Sequence, residues 1–219
     1  MLQRKFLSIL LPVVTLGVVV GSGFSAWYFD DTNIGAKDIN VSVQITDKVT
    51  TVGTLEFLTQ QDQLPKKVIL DQGGHANKED VTKGISFDKT EIKAQFKFNN
   101  EAEFNRLNAA GMHVAVTQKI TLDKTFAEYV DLVTPGDFGT IEENTNHVTY
   151  TKIVDLNTYE ANYDYTINLS SSNEANVFLK YKEGQKPQDA IAYNNMVNAL
   201  KSITSAVSFN WSVAVVQNA

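Results

Sequence analysis

The chain of 219 residues has no cysteine. Disulfides, a catalytic thiol and a zinc–thiolate centre are therefore excluded, and the fold must hold by core burial alone. Histidine is scarce, with only His75, His113 and His147, and none stands in a His-Glu-x-x-His pair. His113 falls on the polar parity of a strand pattern with nothing at ligand spacing beside it, and His75 follows two glycines in a polar loop. A phosphate-cradling glycine loop and a Gly-x-Ser-x-Gly elbow are also missing. Asp137-Phe138-Gly139 spells the kinase magnesium tripeptide, but no glycine-rich loop, paired lysine or catalytic loop accompanies it. The adjacent acids Asp30-Asp31 and Glu142-Glu143 lack the alternating spacing of a calcium loop. No enzyme, no metal site and no cofactor is expected. Positive charge is in deficit too, with 19 Lys and Arg against 25 Asp and Glu, a net charge of −6. Such a surface argues against nucleic acid or anionic lipid as a partner.

Long apolar runs are absent except at the start. Arg4 and Lys5 precede an almost unbroken apolar stretch from Phe6 to Val20, and small residues follow at Gly21, Ser22, Gly23, Ser25 and Ala26. Basic end, apolar middle and small-residue exit predict a secretory signal peptide over 1–26, which touches the membrane only in transit. About 15 apolar residues fall short of the roughly 20 that anchor a chain permanently. Cleavage is expected between Ala26 and Trp27, with Gly23 and Ser25 as alternative cut sites, leaving residues 27–219 as one secreted domain. Without Arg4 and Lys5, 17 basic residues face 25 acidic ones, near −8 for the mature chain.

The dominant period of the remainder is two. Ile39, Val41, Val43 and Ile45 alternate with polar residues, as do Ile92–Phe98, Met112–Leu122, Tyr163–Leu169 and Val207–Val215. Shorter strands are predicted at 54–58, 67–70, 85–87, 147–154 and 176–181. One wet and one buried face per strand is the signature of antiparallel sheets packed face to face. The predicted fold is mainly β, an antiparallel, jelly-roll-like β-sandwich. Two covering helices are expected at about 100–110, capped by Asn100 and stopped by Gly111, and at about 187–204, with Tyr193, Met196, Val197, Leu200 and Ile203 as its apolar stripe. The long loops 71–84 and 134–146 are the expected variable surface. One alternative reading is a β-sandwich that binds a sugar or a protein through those loops, as a monomer or attached to the cell.

The stretch Gly21-Ser22-Gly23-Phe24-Ser25-Ala26-Trp27-Tyr28-Phe29-Asp30-Asp31 resembles the signal-peptide junction of the TasA/camelysin family of secreted biofilm-matrix proteins. Residues 39–55, ending Val52-Gly53-Thr54-Leu55, are similar to that family's first strand, and Phe209–Asn218 resembles its last. The likeness covers about 50 residues at the two ends. It implies a structural subunit of an extracellular fibre or biofilm matrix at the bacterial cell surface. Its partner would be a second copy, joined head to tail by a donated N-terminal strand within residues 27–38. The matching donor positions are Trp27, Tyr28, Phe29 and Ile34, and an accessory matrix protein is a further implied partner. The metalloprotease activity that the family name suggests has no motif here.

Overall fold

The computed structural model describes residues 37–47, 52–70, 80–82, 84–133, 138–169 and 178–218. Within them the chain is mainly β, with twelve strands in three sheets. The strands are β1 (Lys37–Asp47), β2 (Gly53–Phe57), β3 (Lys67–Leu70), β4 (Ile85–Phe87), β5 (Glu91–Phe98), β6 (Met112–Asp123), β7 (Val130–Leu132), β8 (Thr140–Glu143), β9 (His147–Leu156), β10 (Asn162–Asn168), β11 (Leu179–Tyr181) and β12 (Val207–Gln217). The large sheet runs β4-β3-β1-β12-β6-β9-β8, the small one β10-β5-β2, and β11 pairs with β7 alone. The alternation in the sequence thus becomes two opposed layers. Phe96 on β5 and Phe209 on β12 are both fully buried, and Phe57 on β2 meets Trp211 on β12 edge-on at 5.4 Å. Apart from Ala115, the buried apolar side chains of the described residues join in a single cluster.

One ladder departs from the antiparallel expectation: β1 and β12 run parallel, Val41 opposite Val207 and Ile45 opposite Trp211. The two strands come from distant parts of the chain, so no hairpin dictates their direction. Three α-helices are present among the described residues where two were expected. Asn100 Oδ1 accepts the Glu103 N–H at 2.9 Å and starts α1 (Glu101–Ala109), and Gly111, at φ 68°, turns the chain into β6 as predicted. Asp123 caps the unforeseen α2 (Lys124–Tyr129), and β7 and β8 were not foreseen either; β8 lies within the expected loop 134–146. The last helix, α3 (Ala190–Ala199), starts later than expected because Asp189 accepts the Ala192 N–H at 2.7 Å; it closes in the 3₁₀ turn Leu200–Ser202.

The two sheets differ in what they show to solvent. On the small sheet the outward positions of β5 are Glu91, Lys93, Gln95 and Lys97. On the large sheet β1 turns out Ser42, Gln44 and Thr46, beside Ser208, Asn210 and Ser212 of β12. Thr117, Lys119 and Thr121 of β6 and Thr149 and Thr151 of β9 continue that face. Ser42 Oγ donates to Ser208 Oγ at 2.7 Å, and the Thr121 and Thr149 hydroxyls lie 3.2 Å apart.

Candidate assembly edge

β1 changes neighbours along its length: Lys37–Asn40 pair with β3 and Val41–Asp47 with β12. Lys37–Asn40 pair with β3 on one side, and the last rung there is Val41 N–H to Lys66 O at 2.8 Å. β3 then leaves, because the chain between β2 and β3 crosses from the small sheet to the large one. From Ser42 to Asp47 the strand is bonded to β12 alone, and no strand lies on its other side among the described residues. Backbone groups alternate in direction along a strand. Since Val41 N–H points to the β3 side, the N–H and C=O groups of Val43 point to the open side.

Burial of the inward row follows the same boundary. Ile39, paired with Val68 of β3, is 4% exposed; Val41, Val43 and Ile45 are only partly buried. Their neighbours one strand further in, Val207, Phe209 and Trp211, are at 0%, 0% and 1%. The cover therefore thins at the β1 side of the sandwich and not at its centre. Across the gap lies β2, which pairs only with β5 among the described residues; its Phe57 is partly buried and the following Leu58 is 48% exposed. Trp211 joins the two margins, beside Ile45 in the sheet and edge-on to Phe57. Its buried Nε1–H has no acceptor among the described residues, and neither does the Tyr165 hydroxyl have a partner.

The donor positions inferred from sequence, Trp27, Tyr28, Phe29 and Ile34, lie outside the described residues, as do the cleavage positions Ala26 and Trp27. His75 and most of loop 71–84 lie outside them too. Phe138, the one aromatic of loop 134–146, packs partly buried against the core and offers no exposed platform for a sugar ring. Sequence reasoning identified Val43, Ile45 and Trp211 as inward-facing, but missed the open edge. No local pattern marks it, since it depends on where β3 turns away.

Other polar side chains have structural duties. His113 places Nδ1 2.7 Å from Asn218 Oδ1 and Nε2 3.1 Å from Asp155 Oδ1. The Asn218 carbonyl foremost, and Asp155 with it, raise its pKa above the ordinary 6.5 against a smaller opposing effect of burial. Beside it, Phe104, Leu107, Met112 and Leu156 line a cavity of about 10 Å³, room for a single water. Tyr150 donates to Asp131 at 3.0 Å, and burial, then the Asp131 charge, pushes its pKa up to about 12. Lys186 is buried with its ammonium on the Asp80 carbonyl, and burial lowers its pKa. Among the described residues no three metal-ligating side chains come together, and no helix is long and apolar enough to cross a membrane.

No protein-family model, curated protein or solved structure matches the chain.

Proposed function

We propose that this is a secreted structural protein whose copies assemble into an extracellular fibre or matrix, each adding its N-terminal segment as a strand to the next. The observation that carries the reading is the open flank of β1: backbone groups at Val43 with no strand beside them among the described residues, next to an inward apolar row that is only partly buried. An added strand supplies both, with main-chain hydrogen bonds for affinity and side-chain pockets for register. Trp27, Tyr28 and Phe29 suit that role, since burying each contributes on the order of 1.5–3 kcal/mol. In this reading residues 1–26 direct export and are removed by cleavage after Ala26, and no catalytic residue, metal or cofactor is assigned.

Chain length favours donation to another copy over self-complementation. Residues 27–36 enter β1 at Lys37, and β3 occupies the flank of Lys37–Asn40. To reach the open flank at Ser42, a chain's own segment must double back outside β3 past five residues, about 17 Å at roughly 3.3 Å per residue. Half of its ten residues are spent on that detour. A segment from a second copy arrives free of it. Such contacts are heterologous and do not close on themselves, so they produce open filaments.

Electron microscopy of the exported chain beside a variant lacking residues 27–33 tests the reading. Filaments from the first and folded, filament-free protein with unchanged strand content from the second are expected. Filaments from both, or an unfolded deletion variant, would count against donation: the segment would then be dispensable or part of its own core.

A further inference from the structure

We infer that the outer face of the large sheet, across β1, β12, β6 and β9, is a second contact surface, on which copies of this chain pair side by side. The inference rests on the proposed filament and adds a lateral contact to its head-to-tail one. The chain is acidic, with net charge −6, so most surfaces of two copies repel. The face built on Ser42, Gln44, Asn210, Ser212, Thr117 and Thr151 holds hydroxyls and amides, with Lys119 the one charge among them. Charges gather at its margin: Asp38 paired with Lys67 at one side, Asp47 at the strand end, Asp155 beside His113, and Glu142 on β8. Ile153, 61% exposed, projects from the same face opposite Thr117. The outward face of the small sheet is its foil, with Glu56, Glu91, Lys93, Lys97 and Asp164 in a comparable setting.

A charge-depleted centre inside a charged rim is the anatomy of a protein contact. Two copies meeting there bring no carboxylates together at the centre of the contact, and twisted sheets of small side chains pack at about 10 Å. A neutral glycan would want aromatic platforms, and an anionic polymer more than one lysine; the face has neither. Four strands about 4.8 Å apart and some seven residues long give a footprint near 400–450 Å² in projection. That lies below the roughly 800 Å² per partner of a stable complex. A single pair is therefore weak, populated only at high concentration, and the contact gains strength where many copies are aligned along a filament.

The test compares the full exported chain with Thr117→Glu/Ser212→Glu, both outward positions, with strand content checked by circular dichroism. Wild-type filaments are expected to lie side by side, and the variant's filaments to run singly at unchanged length. Bundling by the variant equal to wild type would overturn the inference. Absence of any wild-type filament would sink strand donation alone. The lateral contact is then read by sedimentation at rising concentration. Dimers weakened about tenfold or more in the variant support it, and monomers throughout overturn it. Thr54→Glu/Gln95→Glu on the opposite face should leave both readouts unchanged. Mixing Thr117→Lys with Thr117→Glu should restore pairing, which a merely misfolded variant does not do.

Discussion

Replacing Gly53 with alanine probes how tightly the small sheet is built. Gly53 opens β2 opposite Phe98 and is buried. A Cβ there would lie 2.4 Å from Phe96 Cζ and 2.5 Å from the Lys97 carbonyl oxygen. Neither neighbour has room to move. Phe96 is fully buried and packs edge-on to Phe98 at 5.0 Å, and Lys97 is fixed between Thr54 and Asn162 in the β2–β5–β10 ladders. Overpacking of this kind costs about 1–3 kcal/mol. Opposing it, losing a glycine's freedom in the unfolded chain stabilises by about 0.4–1 kcal/mol. Sterics win, and Gly53→Ala should be destabilised by about 1–2 kcal/mol. Urea unfolding would show a lower midpoint at unchanged slope, with Tm down by about 2–8 °C for a chain of this size. Adding Phe96→Leu should recover part of the loss, because the two sites share the contact. A Gly53→Ala protein as stable as wild type would mean that β2 does not press on Phe96, and the spacing of the small sheet would have to be redrawn.

Three further outcomes follow from single contacts. His113 holds its proton better folded than unfolded, so its contribution is fully present below about pH 6.5. That contribution fades as pH rises through the raised folded value; His113→Gln should flatten the pH dependence of the urea midpoint on that neutral-to-alkaline side, by no more than about 1 kcal/mol for so exposed a cluster. Asn100→Ala removes the cap of α1 and should cost about 0.5–2 kcal/mol in the same assay, with Asn100→Asp close to wild type. Tyr150→Phe leaves Asp131 Oδ1 without its phenol donor and should cost about 1–3 kcal/mol.

The fold was readable where one physical rule decided alone. The alternation at 39–45, 92–98 and 207–215 could be satisfied only by strands with one buried face, and β1, β5 and β12 formed there. Asn100 and Gly111 bounded α1 because capping and a left-handed turn are local demands. Where two rules competed, the sequence misled. Lys124–Tyr129 has too few residues to display a helical period, and its start is set by Asp123, whose parity also fits the end of β6. Residues 140–143 read as loop because four residues with two adjacent acids show no alternation; they form a strand because β9 offers an edge. The candidate site was legible only in half. Alternation placed Val43 and Ile45 on the inward face, but whether that face is covered depends on β3, which lies more than twenty residues away in sequence and turns off at Lys66.

The other sheet margins explain why the β1 edge is the one to perturb. β4 has only three residues, β8 ends in Glu142-Glu143, β2 carries Glu56 and β10 carries Asp164; short length and charge are the usual means of discouraging strand addition. From Ser42 to Thr46 the free flank of β1 has neither a charge nor a proline. Val43→Pro supplies the missing safeguard. It deletes the N–H on the open side and leaves untouched the donors of Ser42 and Gln44, which face β12, as edge strands tolerate. The variant should keep its strand content, lose at most about 1–3 kcal/mol from the trimmed Val43 packing, and end filament growth. Placing proline at Gln44 instead removes a rung to β12 and should unfold the region, which separates loss of the edge from loss of the sheet. If Val43→Pro is folded and its filaments grow as before, the open flank of β1 is not where the donated strand lies.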